Sequence, residues 1–336
     1  MSFHITIVSW NMNGISFLKS EPEKRGHLKA LITRQLNDFI HKHRPDLIAI
    51  QEIVRYEENG AVQELVDPPD GYFYQSSISI DTARQNNPVK WEPIRKSGKW
   101  SSDAYLGQGN GLMWRSDIPH CSIWDWKGEK AQCGGRLRQE VIRIDTGLFI
   151  GTRDTEPRIA VVSHFIWGIR HIFVANLHLT TLSREREGFP DRDCLGAEIR
   201  GQQLNIVLNG IVSRYNHWCE KDNPIPSDDR PVWFLAGDFN ATEDSLEIAK
   251  IKRLNFLDLC PDKGTGTKRG KRGQKAVLTL DYIFAGPAYY AFDPQTVKQL
   301  LEETSQPPLY DITVSDHYPI IAKFPVLEDI DHHHKC

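Results

Sequence analysis

Residues 234–244, FLAGDFNATED, make an apolar run that breaks off at a carboxylate, Asp238, and continues through an aromatic, an amide and more acid. A carboxylate at a strand end is costly to bury unless a metal, an arginine or several hydrogen bonds meet it. The plain alternative is a turn, because Asp and Asn side chains bond the backbone near them. This stretch alone fits either reading, and the ends of the other strands separate them.

HITIVSWNM (4–12) alternates apolar and polar residues and reads as a strand ending near Asn11. Leu28, Leu31, Ile32, Leu36, Phe39 and Ile40 repeat at helical spacing, which predicts a helix over 27–43 that Pro45 closes. RPDLIAIQEI (44–53) then predicts a buried strand running to Glu52. GNGLMWRSD (109–117) is another strand, and PRIAVVSHFIW (157–167) with RHIFVANLHLT (170–180) reads as a hairpin. A second helix is predicted over 194–219, with Ile199, Leu204, Ile206, Val207, Leu208 and Ile211 on its apolar side. The face carrying Arg200 and Gln203 reads as structural. PVWFLAGDFN (231–240), LTLDYIFAG (278–286) and YPIIAKFPV (318–326) are three more strands. Strands dominate, helices are few and no internal repeat is visible. The order is not a regular alternation of strand and helix, which points to two packed sheets with helices outside, an α/β sandwich. The expected organisation is one domain over 1–327 with a flexible tail at 328–336, although the tail's DHHHKC could suggest metal.

Six of these strands deliver a polar side chain, usually at one edge of the sheet: Asn11, Glu52, His178, Asp238 with Asn240, Asp281, and Asp316 with His317 ahead of the last strand. One convergent polar site accounts for all of them together, and sheet ends hold a site accurately. The set is carboxylate, amide and imidazole, with no Ser–His or Cys–His nucleophile. Oxygen-rich ligands suit Mg²⁺, with Mn²⁺ as a substitute, and the lack of thiolate argues against zinc. A hard cation plus a general base suits attack of water on phosphorus.

SWNMNG, DLIAIQE, NLHLT, GDFN, LDYIF and SDHYPI stand in the order used by the endonuclease/exonuclease/phosphatase superfamily, and the chain resembles that family over about residues 5–325. The resemblance implies a deoxyribonuclease I-like four-layer α/β sandwich, two mixed β-sheets flanked by helices, and an enzyme that is a Mg²⁺-dependent phosphoesterase. It makes Glu52 the main metal ligand, with Asn11 helping and Asp316 near the metal. Asp238 orients or deprotonates the attacking water, while Asn240 and His178 bond phosphate oxygens. His317 sits against the scissile phosphate with Asp281 fixing its tautomer. Either Asp238 or the His317–Asp281 pair is then the base. Asn13 stands where some members carry an acid, so one metal or two stays open.

The substrate depends on the loops. KRGKRGQK (268–275) places Lys268, Arg269, Lys271 and Arg272 between Asp238 and Asp281, a basic run suited to a polyanion. A nuclease acting on DNA or RNA is therefore expected. A small-molecule or phospholipid phosphodiesterase or phosphatase is the alternative, and a catalytically silent binding module is a third reading. The formal net charge of −3 gives no global basic field, so nucleic-acid affinity would have to be local. The first residues lack the pattern of a signal peptide, no apolar run is long enough for a membrane helix, and the six cysteines show no CxxC spacing. Free thiols, a cytoplasmic location and no obligate protein partner are expected.

Overall fold

The computed structural model describes residues 3–18, 20–58, 61–78, 107–121, 140–144, 158–167, 170–182, 184–221, 231–262, 266–268, 278–286 and 314–326. Their elements run β1 (Phe3–Asn11), α1 (Gly14–Leu18), α2 (Pro22–His43), β2 (Leu47–Glu58), β3 (Ala61–Glu64), β4 (Tyr72–Ile78), β5 (Gly107–Arg115), β6 (His120–Cys121), β7 (Glu140–Arg143), β8 (Ile159–Trp167), β9 (Arg170–His178), α3 (Pro190–Lys221), β10 (Val232–Asp238), α4 (Leu246–Arg253), β11 (Leu257–Asp258), β12 (Asp281–Gly286) and β13 (Ile320–Val326). One sheet has the order β13-β1-β2-β5-β4 with β3 on β2, and the other β11-β12-β10-β9-β8-β6 with β7 on β8. In each, one strand pair is parallel, β1 with β2 and β9 with β10. The helices α2 and α3 make those crossovers, as parallel neighbours require.

Four layers follow from the side-chain alternation. In β2, Leu47 and Ala49 face inward and join Phe234 and Ala236 of β10 between the sheets. Their neighbours Ile48 and Ile50 face outward against Leu36, Phe39 and Ile40 of α2. On the far side, Trp233 and Leu235 of β10 pack with Leu204, Val207 and Ile211 of α3 and Ile248 and Ile251 of α4. Strands covered on both faces read as continuous apolar runs, which is why β2 and β10 lack polar alternation. The helix predicted over 27–43 is α2, which begins at Pro22, earlier than its apolar repeat, with proline taking a first-turn position that needs no amide donor. The second predicted helix, α3, runs over Pro190–Lys221 and so begins before the expected start at 194. Ile206, expected on its apolar side, is exposed, since it falls off the stripe made by Leu204, Val207, Leu208 and Ile211. The short α4, capped by the Ser245 hydroxyl, buries only one narrow stripe and escaped the periodicity reading. The segment 79–106 and the expected tail at 328–336 lie outside the described residues.

Near one end of the sandwich, buried amides tie the sheets together. Asn176 on β9 donates to the Ile50 carbonyl at 2.8 Å and the Gly111 carbonyl at 2.7 Å, and accepts from Gln51 at 2.7 Å. Between apolar sheets these bonds fix the relative position of strand ends, because a shift would strand buried polar groups.

A second buried set sits at the β6–β8 edge. His120 stacks on Trp114 and meets Phe165 edge-on, while His164 stacks on Phe173 and bonds His171. Burial pushes the His120 imidazole down to about 4, and burial with His171 and His120 pushes His164 down to about 3. Both pKa values lie below those of the unfolded chain, so the unfolded state binds more protons in acid. This stability is fully present above about pH 6.5 and is lost as pH falls toward the folded values. Each ring should cost about 2 kcal/mol at pH 5 relative to neutral pH. Urea titrations at both pH values check this, and His120→Phe should remove about half of the difference.

Candidate active site

The parallel pairs end side by side, and the polar residues leave from those ends. Asn11 closes β1 beside Gln51 of β2. Asp238 closes β10 opposite His178 of β9 on one side and Asp281 of β12 on the other. Clefts beyond the carboxyl ends of parallel strands are where α/β sheets place ligands.

Local backbone aims these groups. The β2–β5 ladder slips between Gln51 and Ile53, and Glu52 stands at that irregularity with φ 53°, in the left-handed region. A bulge re-aims a side chain, and a left-handed non-glycine residue persists only where its surroundings enforce it. Asn240 is also left-handed, at φ 48°, and its N–H donates to Asp238 Oδ1 at 2.8 Å. A side chain at Gly237 would put its Cβ 1.9 Å from the Leu177 carbonyl, so only glycine lets β10 approach β9 so closely before Asp238.

The contacts form one connected set. Asn11 Nδ2 donates to Glu52 Oε1 at 3.3 Å and to Asp238 Oδ2 at 3.0 Å. His178 Nε2 lies 3.8 Å from each of those carboxylates. His317 Nε2 is 3.6 Å from Asp238 Oδ2, and its Nδ1 is 2.9 Å from Asp281 Oδ2. Ser315 Oγ donates to the Asn11 carbonyl at 2.6 Å and accepts the His317 N–H at 3.0 Å, which ties the last loop to β1. Asn240 Nδ2 donates to the Leu179 carbonyl at 2.9 Å.

The two histidines are driven to opposite charge states. Arg158 Nη1 lies 2.7 Å from His178 Nδ1. A guanidinium can only donate, so Nδ1 accepts and the His178 proton sits on Nε2, toward the carboxylates. Burial first, and Arg158 next, hold His178 far below its usual value, so the ring is neutral. Burial also pushes against His317, but Asp281 and Asp238 outweigh it and hold the pKa up at about 9. Burial would raise Asp238; His317, His178 and Lys268 overcome it and bring the carboxyl down to about 2. At neutral pH the centre therefore holds a neutral His178, a cationic His317 and an anionic Asp238.

Of the expected metal group, Glu52 and Asn11 meet, while the Asp316 carboxylate lies 3.8 Å from Lys268 and is 43% exposed. Asn11 turns its N–H side to the two acids and gives its oxygen to the Asn13 N–H. Asp238, Asp281 and His317 also bring ligand atoms within 4.8 Å of one another. There, however, Asp281 is committed to His317 and the imidazole is charged, so a cation is better received at Glu52 and Asp238. That donor set is oxygen-rich and fits a hard divalent ion. Of the basic run, Lys268 is described; Arg269, Lys271 and Arg272 lie outside the described residues.

Several residues that shape the site carry no signal of it in the sequence. Arg158 looks like an ordinary basic residue before a strand, and only the β8–β9 pairing brings it to His178. Thr267, fully buried, accepts the N–H groups of Leu280 and Asp281 at 3.0 and 3.1 Å. Arg186 bonds the Asn240 carbonyl and Thr181 Oγ1, both at 3.0 Å. Arg200 bridges Glu185 and Glu247 and Gln203 holds Thr180, so that helix face is structural, as expected.

The model of the endonuclease/exonuclease/phosphatase family matches residues 8–317. The chain belongs to this family. An endonuclease/exonuclease/phosphatase protein from Bacteroides vulgatus superposes with TM-score 0.57 at 15% identity, covering 97% of this chain and 100% of the other. TDP2 from D. rerio, solved with a single-stranded DNA product, gives 0.51 at 15% identity over 96% of this chain and 98% of that one. ANGEL2, described as a 2′,3′-cyclic phosphatase and solved with adenosine-2′,3′-vanadate, gives 0.54 at 14% identity over 97% and 96%. At such identities these likenesses establish the fold, the deoxyribonuclease I-like pair of mixed sheets. No curated protein matches the sequence. Enzymes of the family are generally dependent on a divalent metal, and among the described residues Asp238, Asp281 and His317 form a buried acidic and imidazole cluster. Among the described residues, no helix is long and apolar enough to cross a membrane.

Proposed function

We propose that this endonuclease/exonuclease/phosphatase protein hydrolyses phosphodiester bonds with Mg²⁺, Mn²⁺ substituting, and that its substrate is DNA or RNA. The observation that supports the chemistry most is the linked set of Glu52, Asn11, Asp238, His178, His317 and Asp281, with its histidines held in opposite charge states. Glu52 and Asp238 would hold the cation, which supplies charge to a phosphate oxygen when bound, and Asn11 Nδ2 would hold the two carboxylates together.

The chain's own groups divide the proton work. Asp238, ionised, orients a water and accepts its proton as the water oxygen bonds phosphorus. His317, charged and steadied by Asp281, gives its Nε2 proton to the ester oxygen as the opposite P–O bond breaks. His178 stays neutral and donates from Nε2 to a phosphate oxygen, a part that Arg158 keeps it in by occupying Nδ1. Asn240, held in its left-handed turn, frames the same edge. In this scheme Asp316 shields Lys268 more than it holds metal.

The polymer preference rests on Arg269, Lys271 and Arg272. Each phosphate they neutralise releases counterions, giving a salt slope of about 0.7–0.9 per contact. Replacing all three with Gln should flatten the salt dependence of KM for a labelled oligonucleotide by about two units or more. Equal slopes for wild type and variant would move the substrate to a small phosphodiester or a phospholipid head group.

A further inference from the structure

The basic run begins with a residue that is anchored on both sides. The N–H groups of Thr267 and Lys268 both donate to the Leu278 carbonyl at 2.9 Å, and the Tyr318 N–H donates to the Thr267 carbonyl at 2.8 Å. Lys268 forms antiparallel bridges with Leu278 and with His317. Residues opposed in an antiparallel bridge send their side chains to the same face, with Cβ atoms about 5 Å apart. The Lys268 stem therefore starts beside the His317 ring, whose Nε2 is 3.6 Å from Asp238.

Its ammonium is held loosely. The Asp316 carboxylate is 3.8 Å away, and the two side chains are 31% and 43% exposed. A long, wet ion pair of this kind holds a cation weakly, so a phosphate arriving between His317 and Asp238 can take the lysine over. A compact ammonium on a flexible stem suits a single oxygen, whereas a planar guanidinium suits a bidentate grip. Gripping remote phosphates of a polymer would not need a backbone pinned to the catalytic histidine.

We propose that Lys268 is a catalytic residue whose ammonium bonds a non-bridging oxygen of the phosphate under attack, in contrast to the polymer-gripping residues that follow it. This role presupposes the phosphoester hydrolysis proposed above. Negative charge builds on those oxygens as water adds, and a positioned cation that meets it lowers the barrier. It also predicts that Lys268 matters for any phosphoester that enters, whatever its length.

The test compares wild type, Lys268→Met and Lys268→Arg on bis-p-nitrophenyl phosphate and on an oligonucleotide, with kcat and KM separated and inorganic phosphate titrated as an inhibitor. Lys268→Met should cut kcat on both substrates by a similar factor, about 10- to 100-fold. It should weaken phosphate inhibition about tenfold, and Lys268→Arg should recover much of both losses, because the charge returns. An unchanged kcat on the short ester, with a higher KM on the oligonucleotide alone, would overturn this role and return Lys268 to the polymer grip, leaving the phosphoesterase reading intact. Wild-type protein inert toward every phosphoester tried with Mg²⁺ or Mn²⁺ would overturn both. Near-UV circular dichroism and urea midpoints matching wild type tie any loss to the charge.

Discussion

Asp238→Asn and His317→Ala should each lower turnover by about 10² or more, the scale of removing a positioned base or a charge stabiliser. Asp238 is reached by Asn11, His178, His317 and the Asn240 N–H, so an amide in its place disturbs four partners besides losing the base. His317→Ala removes the proton donor and leaves Asp281 buried without its imidazole. It should therefore cost stability as well, whereas His317→Gln, which still donates, should be milder in stability and equally poor in turnover. Steady-state kinetics on a diester with a poor leaving group measure the donor's share. With p-nitrophenolate as leaving group, protonation matters little and the His317→Ala loss should shrink. A constant loss across leaving groups would remove the acid role from His317.

Glu52→Gln should weaken divalent-cation affinity by orders of magnitude with little change in fold. The side chain stands at a bulge in a left-handed backbone position, 14% exposed, and accepts from Asn11 Nδ2. An amide of the same shape keeps the contacts and cannot balance a cation. Mn²⁺ binding followed by electron paramagnetic resonance reports affinity independently of turnover, and excess metal should recover part of the activity. Unchanged Mn²⁺ affinity would move the cation away from Glu52, toward Asp238 and its neighbours.

Much of this was legible because the two sheets are covered on both faces. Leu47–Ile50 and Trp233–Ala236 had to be apolar throughout, so their endings at Glu52 and Asp238 stood out. His178 and Asp281 follow from the same punctuation, since each closes or opens a strand beside Asp238. What stayed hidden depends on pairing across the sequence. Arg158 acquires its role only when β8 folds back on β9, and Thr267 only when the chain before the basic run returns to Leu280 and Asp281. The bulge at Glu52 leaves no mark in RPDLIAIQEI, because a register shift in a ladder is defined by the partner strand. Asp316 beside His317 reads as one more acid at the site, yet in space its carboxylate turns to Lys268. Short elements such as β3, β6 and β11 escaped because a few residues carry no usable period.

The most direct measurement is cleavage of labelled single- and double-stranded DNA and RNA, with bis-p-nitrophenyl phosphate alongside, by wild type and Asp238→Asn, each with Mg²⁺ and with EDTA. Wild type with Mg²⁺ should hydrolyse the diester and at least one nucleic acid, with the activity abolished by EDTA and reduced about 10² or more in the variant. Full activity of the wild-type protein in EDTA, or equal activity of the Asp238→Asn variant, would contradict this.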